Sequence, residues 1–213
     1  MIGTTFGQTI GTLARRWRHG RPIVVVSGLP RSGTSMMMRM LEAGGVAPVT
    51  DGVRVADDSN PKGYFEFEPV KGLDKDGDLA WLPAARGRAV KIISFLLTWL
   101  PEDHNYQVIF MHRRPDEIIA SQQAMLRARG EPVGQDDAER SRQVFAGHLA
   151  QVERFMAGRA CFRVLPLHYH EVLAAPEAAA AQVATFLGRS LDTTAMARSV
   201  EPQLYRNRVP AEH

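Results

Sequence analysis

The chain has 213 residues, 45% of them hydrophobic, with 26 basic and 23 acidic side chains giving a net charge of +3. That length buries a sizeable core without covalent staples, and so mild a charge does not mark a nucleic-acid binder. No apolar run approaches the ~20 residues that cross a bilayer, and the lone cysteine, Cys161, excludes an intrachain disulfide and suits a reducing, cytoplasmic setting.

The positive charge is concentrated at the start. No Asp or Glu precedes Glu42, while Arg15, Arg16, Arg18, Arg21, Arg31 and Arg39 all do, so this end attracts anions. Residues 1–20 read as a basic helix or extension with Phe6, Ile10, Leu13 and Trp17 on one face. Such a helix docks on the domain or forms a contact in a homo-oligomer. Residues 21–213 read as one α/β domain.

Ile23 to Val26 are four apolar residues in a row, the pattern of a parallel strand covered on both faces. Gly28-Leu29-Pro30-Arg31-Ser32-Gly33-Thr34-Ser35 follows, and a helical run begins at Thr34 and reaches Ala43. A strand that passes through a glycine loop into a helix aims free N–H groups and the positive dipole end at an anion. The glycine spacing is that of a P-loop, but Thr34 stands where a nucleotidase has lysine, and the loop's cation is Arg31.

Further along, Gly63–Phe67 reads as a strand with Glu66 and Glu68 on the face opposite Phe65 and Phe67. Two carboxylates sharing a face repel, which raises the pKa of one toward that of a general base. Arg88–Ile92 reads as a third strand, carrying Lys91. A fourth, Gln107–Met111, feeds a helix over Pro115–Arg127, with Pro115 in the first turn and Asp116 and Glu117 at the positive end of its dipole. Arg113 then stands at the strand end and Ser121 two turns along the helix, within reach of one anion. The polar stretch Arg129–Asp137 reads as a loop and a candidate lid. Helices over Asp136–Ala157 and Pro176–Leu187 flank a strand at Cys161–Pro166. This alternation predicts a three-layer α/β fold with a central, mainly parallel sheet, like that of P-loop nucleoside triphosphatases.

The loop Gly28–Ser35 closely resembles the 5′-phosphosulfate loop of the sulfotransferases that use 3′-phosphoadenosine 5′-phosphosulfate (PAPS) without a metal. Arg113 and Ser121, eight positions apart, match that family's 3′-phosphate pair. The resemblance implies a sulfuryl transfer from PAPS to a hydroxyl or amine of a small-molecule acceptor, releasing PAP. Pro30, Arg31, Ser32, Gly33, Thr34 and Ser35 would hold the 5′ end of the donor, and Arg113 and Ser121 its 3′-phosphate. Lys91 matches the family lysine that stabilises the transferring group, but Ile93 occupies the position of the catalytic histidine of the cytosolic members. The base role therefore falls to Glu66 first and Glu68 second. The Arg-Lys-Gly of the cytosolic members is absent, and Arg206 and Arg208 stand in for it as the second part of the phosphate clamp. Two other readings fit parts of the pattern: a P-loop kinase using ATP and magnesium, and a PAP-binding protein without catalysis.

Overall fold

A computed structural model describes residues 14–51, 65–75, 77–128, 130–131 and 138–201. Four strands, β1 (Ile23–Gly28), β2 (Ala89–Lys91), β3 (Tyr106–His112) and β4 (Phe162–His168), form one sheet in the order β2-β1-β3-β4. Every pairing is parallel, as expected from the sequence. Each crossover carries the chain over one face or the other. The helices are α1 (Thr34–Ala43), α2 (Pro115–Ala128), α3 (Ala138–Ala157), α4 (Tyr169–Ala174), α5 (Pro176–Leu187) and α6 (Thr193–Arg198).

Alternation along the strands sorts the core into two halves. Val24, Val26, Ile109 and Met111 point to one face, where Met36, Met37, Met40 and Leu41 of α1 pack with side chains of α4, α5 and α6. Ile23, Val25, Val108 and Phe110 point to the other, against Val152 and Met156 of α3 and the 3-10 turns around β2. Because β1 is covered on both faces, all six of its residues are buried, which is why the sequence shows an unbroken apolar run rather than alternation. β4 is one of the two edge strands, with Arg163 exposed and Pro166 within it. A proline and charges at a sheet margin discourage pairing with a further strand.

The connections from β1 to β2 and from β3 to β4 leave in opposite directions, so a crevice opens at the carboxyl ends of β1 and β3. In open parallel sheets this is where ligands bind. Both motifs singled out in the sequence emerge there.

One expectation is corrected. Among the described residues of Gly63–Phe67 no strand forms: Phe65 has a left-handed φ of 51°, and Glu68 opens a 3-10 helix, Glu68–Gly72, with Pro69 in its first turn. The carbonyl of Glu66 instead accepts bonds from Thr50 Oγ1 and Asp51 N, and that local tie replaces sheet pairing. At the amino end, a helical stretch covers 14–19 among the described residues, with Trp17 94% exposed. Arg15 anchors the stretch through its guanidinium, which donates to Asn105 Oδ1 and to the carbonyls of Glu102 and His104. Phe6, Ile10 and Leu13 lie outside the described residues, as do positions 129 and 132–137 of the candidate lid.

Candidate active site

The loop after β1 is held in a shape that other residues at its glycines would spoil. Gly28 has φ 145°, and a Cβ there would come within 2.4 Å of Ser32 Oγ and 2.5 Å of the Met111 carbonyl. Gly33 has φ 101°, and its Cβ would lie 2.4 Å from the ring of Tyr169. Between them Arg31 takes φ 71°, a conformation that costs energy for a residue with a side chain. The loop is thus pressed onto β3 on one side and the start of α4 on the other.

The first intrahelical bond of α1 runs from Met37 N to Gly33 O. Amides before it in that first turn have no intrahelical acceptor, no side chain caps them among the described residues, and the turn holds no acidic residue. Ser32 Oγ, beneath the loop, and Ser27 Oγ, one residue before Gly28, are buried without a hydrogen-bond partner among the described residues. Buried hydroxyls are seldom left so. A cradle of N–H groups at a helix start with an unsatisfied hydroxyl below it suits a phosphate or sulfate.

The second motif meets the first through the register of the sheet, which sets Gly28 beside Met111. Arg113 Nη1 donates to the Arg31 carbonyl at 3.0 Å, and its Nε donates to Glu117 Oε2 at 3.0 Å. Its guanidinium lies 4.6 Å over the centre of the Tyr169 ring. Arg31 in turn donates from Nε to Ser121 Oγ at 3.0 Å. Ser121 is buried, and its own hydroxyl proton enters no other bond among the described residues. Arg31, Arg113 and Ser121, 90 positions apart at the extremes, therefore share one network.

Glu117 and Tyr169 belong to this network and were not singled out as site residues in the sequence. The pair Arg113–Glu117 has side chains only 8% and 3% exposed, and its i,i+4 spacing was the available signal. Tyr169 gave none. Burial raises the pKa of its hydroxyl, with Arg113 pulling the other way. At His112, the register partner of His168, burial holds the imidazole below its ordinary value against the opposing pull of Glu153.

Lys91 ends β2 and pairs in register with Val26, so it stands at the same end of the sheet, on the other side of β1. Pro48 bridges Ala89 in parallel, which sets Thr50 level with Lys91 and brings Glu66, bonded to Thr50, to this end as well. Glu66 and Glu68 do not simply face each other. Lys71 Nζ lies 3.2 Å from Glu66 and 2.9 Å from Glu68, and the bonds to Glu68 and Glu66 raise its pKa. The repulsion expected from a strand is replaced by a shared cation. Glu66 is the sheltered one, 16% exposed against 61%.

The position occupied by Ile93 is followed by Ser94, whose Oγ lies 2.9 Å from His148 Nε2 of α3. That ring stacks on Phe95 at 3.8 Å, and burial lowers its pKa. A histidine does reach this end of the sheet, then, but from a helix more than 50 residues later. Arg206 and Arg208 lie outside the described residues.

A profile of the sulfotransferase family matches residues 88–193, from the start of β2 through the Arg113–Ser121 motif to the first residue of α6. The chain belongs to the sulfotransferase family. Its fold is that of solved sulfotransferases. A sulfotransferase domain of the Synechococcus PCC 7002 olefin synthase superimposes with a TM-score of 0.54 at 16% identity, covering 90% of each chain. One from the curacin biosynthetic pathway gives 0.52 at 15%, covering 90% of this chain and 93% of that one. A Mycobacterium tuberculosis sulfotransferase gives 0.55 at 15%, covering 94% and 79%. No curated protein sequence matches the chain significantly.

Two stability outcomes follow from this geometry. Gly28→Ala is expected to lower stability by roughly 2 kcal/mol or more, because its Cβ meets a backbone carbonyl that cannot give way. Glu117→Ala leaves the buried guanidinium of Arg113 without its carboxylate and should cost about 3–5 kcal/mol. Thermal unfolding of the variants beside wild type measures both, and unchanged melting temperatures would contradict the packing described.

Proposed function

We propose that this sulfotransferase takes its sulfuryl group from PAPS and passes it to a hydroxyl or amine of a small molecule in the cytoplasm. The observation that carries the reading is the joined pair of anion sites: a glycine cradle over the orphaned Ser32 hydroxyl, tied through Arg31 to Ser121 and Arg113. A nucleotide with phosphates at both its 5′ and 3′ positions needs two such sites side by side.

The chemistry of these groups fits the donor. Amides at the start of α1, with Ser32, Thr34 and Ser35, offer donors to the 5′-phosphosulfate. Pro30 and Gly33 shape the turn. Arg113 and Ser121, and beyond them Arg206 and Arg208, are assigned to the 3′-phosphate, where a guanidinium fork fixes orientation as well as charge. PAPS supplies an activated sulfuryl group whose leaving group is a phosphate. Lys91, beside the loop, stabilises the charge that develops between them. Glu66, sheltered and held by Lys71, takes the acceptor proton, with Glu68 as its exposed neighbour.

The acceptor side is read from the 3-10 helix Ser94–Trp99 that follows Lys91. Phe95 and Trp99 are 42% and 53% exposed there, an apolar surface suited to a natural-product or lipid-like hydroxyl compound. Two of the similar solved domains come from an olefin synthase and the curacin biosynthetic pathway, which supports an acceptor of that kind.

Calorimetric titration with PAP, beside ATP with magnesium, tests the donor. PAP should bind without metal, about tenfold more weakly in Ser121→Ala and about a hundredfold more weakly in Arg113→Ala. A preference for ATP with magnesium, or PAP affinity unchanged in both variants, would sink the assignment. Lys91→Met should leave PAP affinity nearly intact while lowering kcat by about 10²–10³-fold, followed as PAP release with an acceptor found by screening.

A further inference from the structure

The opposite end of the sheet carries a second concentration of positive charge. At the amino ends of β1, β3 and β4 a cavity of about 240 Å³ is lined by Arg16, Arg21, Arg163 and Arg189, and no aspartate or glutamate is among its described lining residues. Tyr106, Cys161 and Leu187 give it an apolar floor.

These arginines come from three separate parts of the chain. Arg16 and Arg21 precede β1, Arg163 is the second residue of β4, and Arg189 follows the end of α5. The turn at Gly87 draws two of them together: Arg189 Nη1 donates to the Gly87 carbonyl at 2.7 Å, and Arg21 Cζ lies 3.5 Å from where a Gly87 Cβ would be. Arg163 rests its guanidinium 5.3 Å over the centre of the Phe186 ring. Among the described residues none of the four makes an ion pair with a carboxylate. Burial disfavours the charge on Arg189, and Arg21 and Arg16 disfavour it further. Arg21 and Arg16 repel Arg189 across one concavity that Arg163 also lines, and a multivalent anion relieves that repulsion.

We propose that this cavity is a binding site for a compact oligophosphate, at the level of a diphosphate group, separate from the donor site. Guanidinium forks match phosphate oxygens in pairs. At about 30 Å³ per water the volume holds roughly eight waters, enough for two linked phosphates. The six residues of β1 separate it from the glycine loop by about 20 Å at ~3.3 Å per residue. One ligand of this size does not span both.

The test is calorimetric titration of the full chain with inorganic diphosphate in metal-free buffer, at low and at raised salt. It is run on wild type, Arg163→Ala/Arg189→Ala, Arg16→Ala/Arg21→Ala and Ser121→Ala. Wild type and Ser121→Ala should share one diphosphate site that weakens with salt and that each arginine pair weakens at least tenfold. Arg16 and Arg21 are exposed and precede the sheet, so the second pair keeps the test valid if the first disturbs the fold. No binding by wild type at millimolar diphosphate, or the same number and affinity of sites in wild type and a folded arginine-pair variant, overturns the proposal. Loss in Ser121→Ala alone, with the arginine pairs unaffected, would assign the binding to the donor loop instead and overturn it too. The outcome does not depend on the donor being PAPS.

Discussion

The site depends on one close approach: the backbone at Gly28 lies so near the Met111 carbonyl that no side chain fits between them. Parallel pairing of β1 with β3 sets that contact, because Gly28 and Met111 are register partners at the ends of their strands. The turn after β1 must therefore rise steeply, and Arg31 is pushed into a left-handed conformation as it does so. Strain of this kind persists only where the surroundings over-determine it. Here the Arg113–Arg31 bond and the Tyr169 ring against Gly33 do so.

Placing an anion cradle at this point uses the sheet's topology as well as its sequence. Two crossovers that leave in opposite directions open a crevice without a cavity having to be carved into the core. α1 then directs the positive end of its dipole into the crevice, and the buried pair Arg113–Glu117 fixes a guanidinium at its rim. A buried ion pair contributes little net stability, because desolvation offsets most of its attraction. Its value here is orientation: Glu117 holds the Nε edge of Arg113, which leaves the direction of the fork determined before any ligand arrives.

Charge is distributed to both ends of the strands. The carboxyl end gathers Arg31, Arg113 and Lys91, each interacting with neighbouring groups. The amino end gathers four arginines without a carboxylate among the described lining residues. A net charge of +3 over the whole chain conceals this pattern.

Local signals in the sequence determined a good deal. Buried parallel strands announce themselves as apolar runs, and helices α1 and α5 begin and end where glycine, proline and apolar periodicity put them. The glycine spacing of the loop and the eight-residue interval from Arg113 to Ser121 were legible because each lies within one strand-turn-helix unit. Glu66 and Glu68 show the limit of such reading. Their alternation looked like a strand, but strands exist only where a partner is paired, and Phe65 and Pro69 turn the chain before one is met. Only the tertiary structure decided which distant residues meet: Arg31 with Ser121, Gly33 with Tyr169, Ser94 with His148, and the arginines at the far end of the sheet. Those contacts are set by strand register and crossover direction, which depend on the packing of the whole core and leave no trace at the spacing of any one segment.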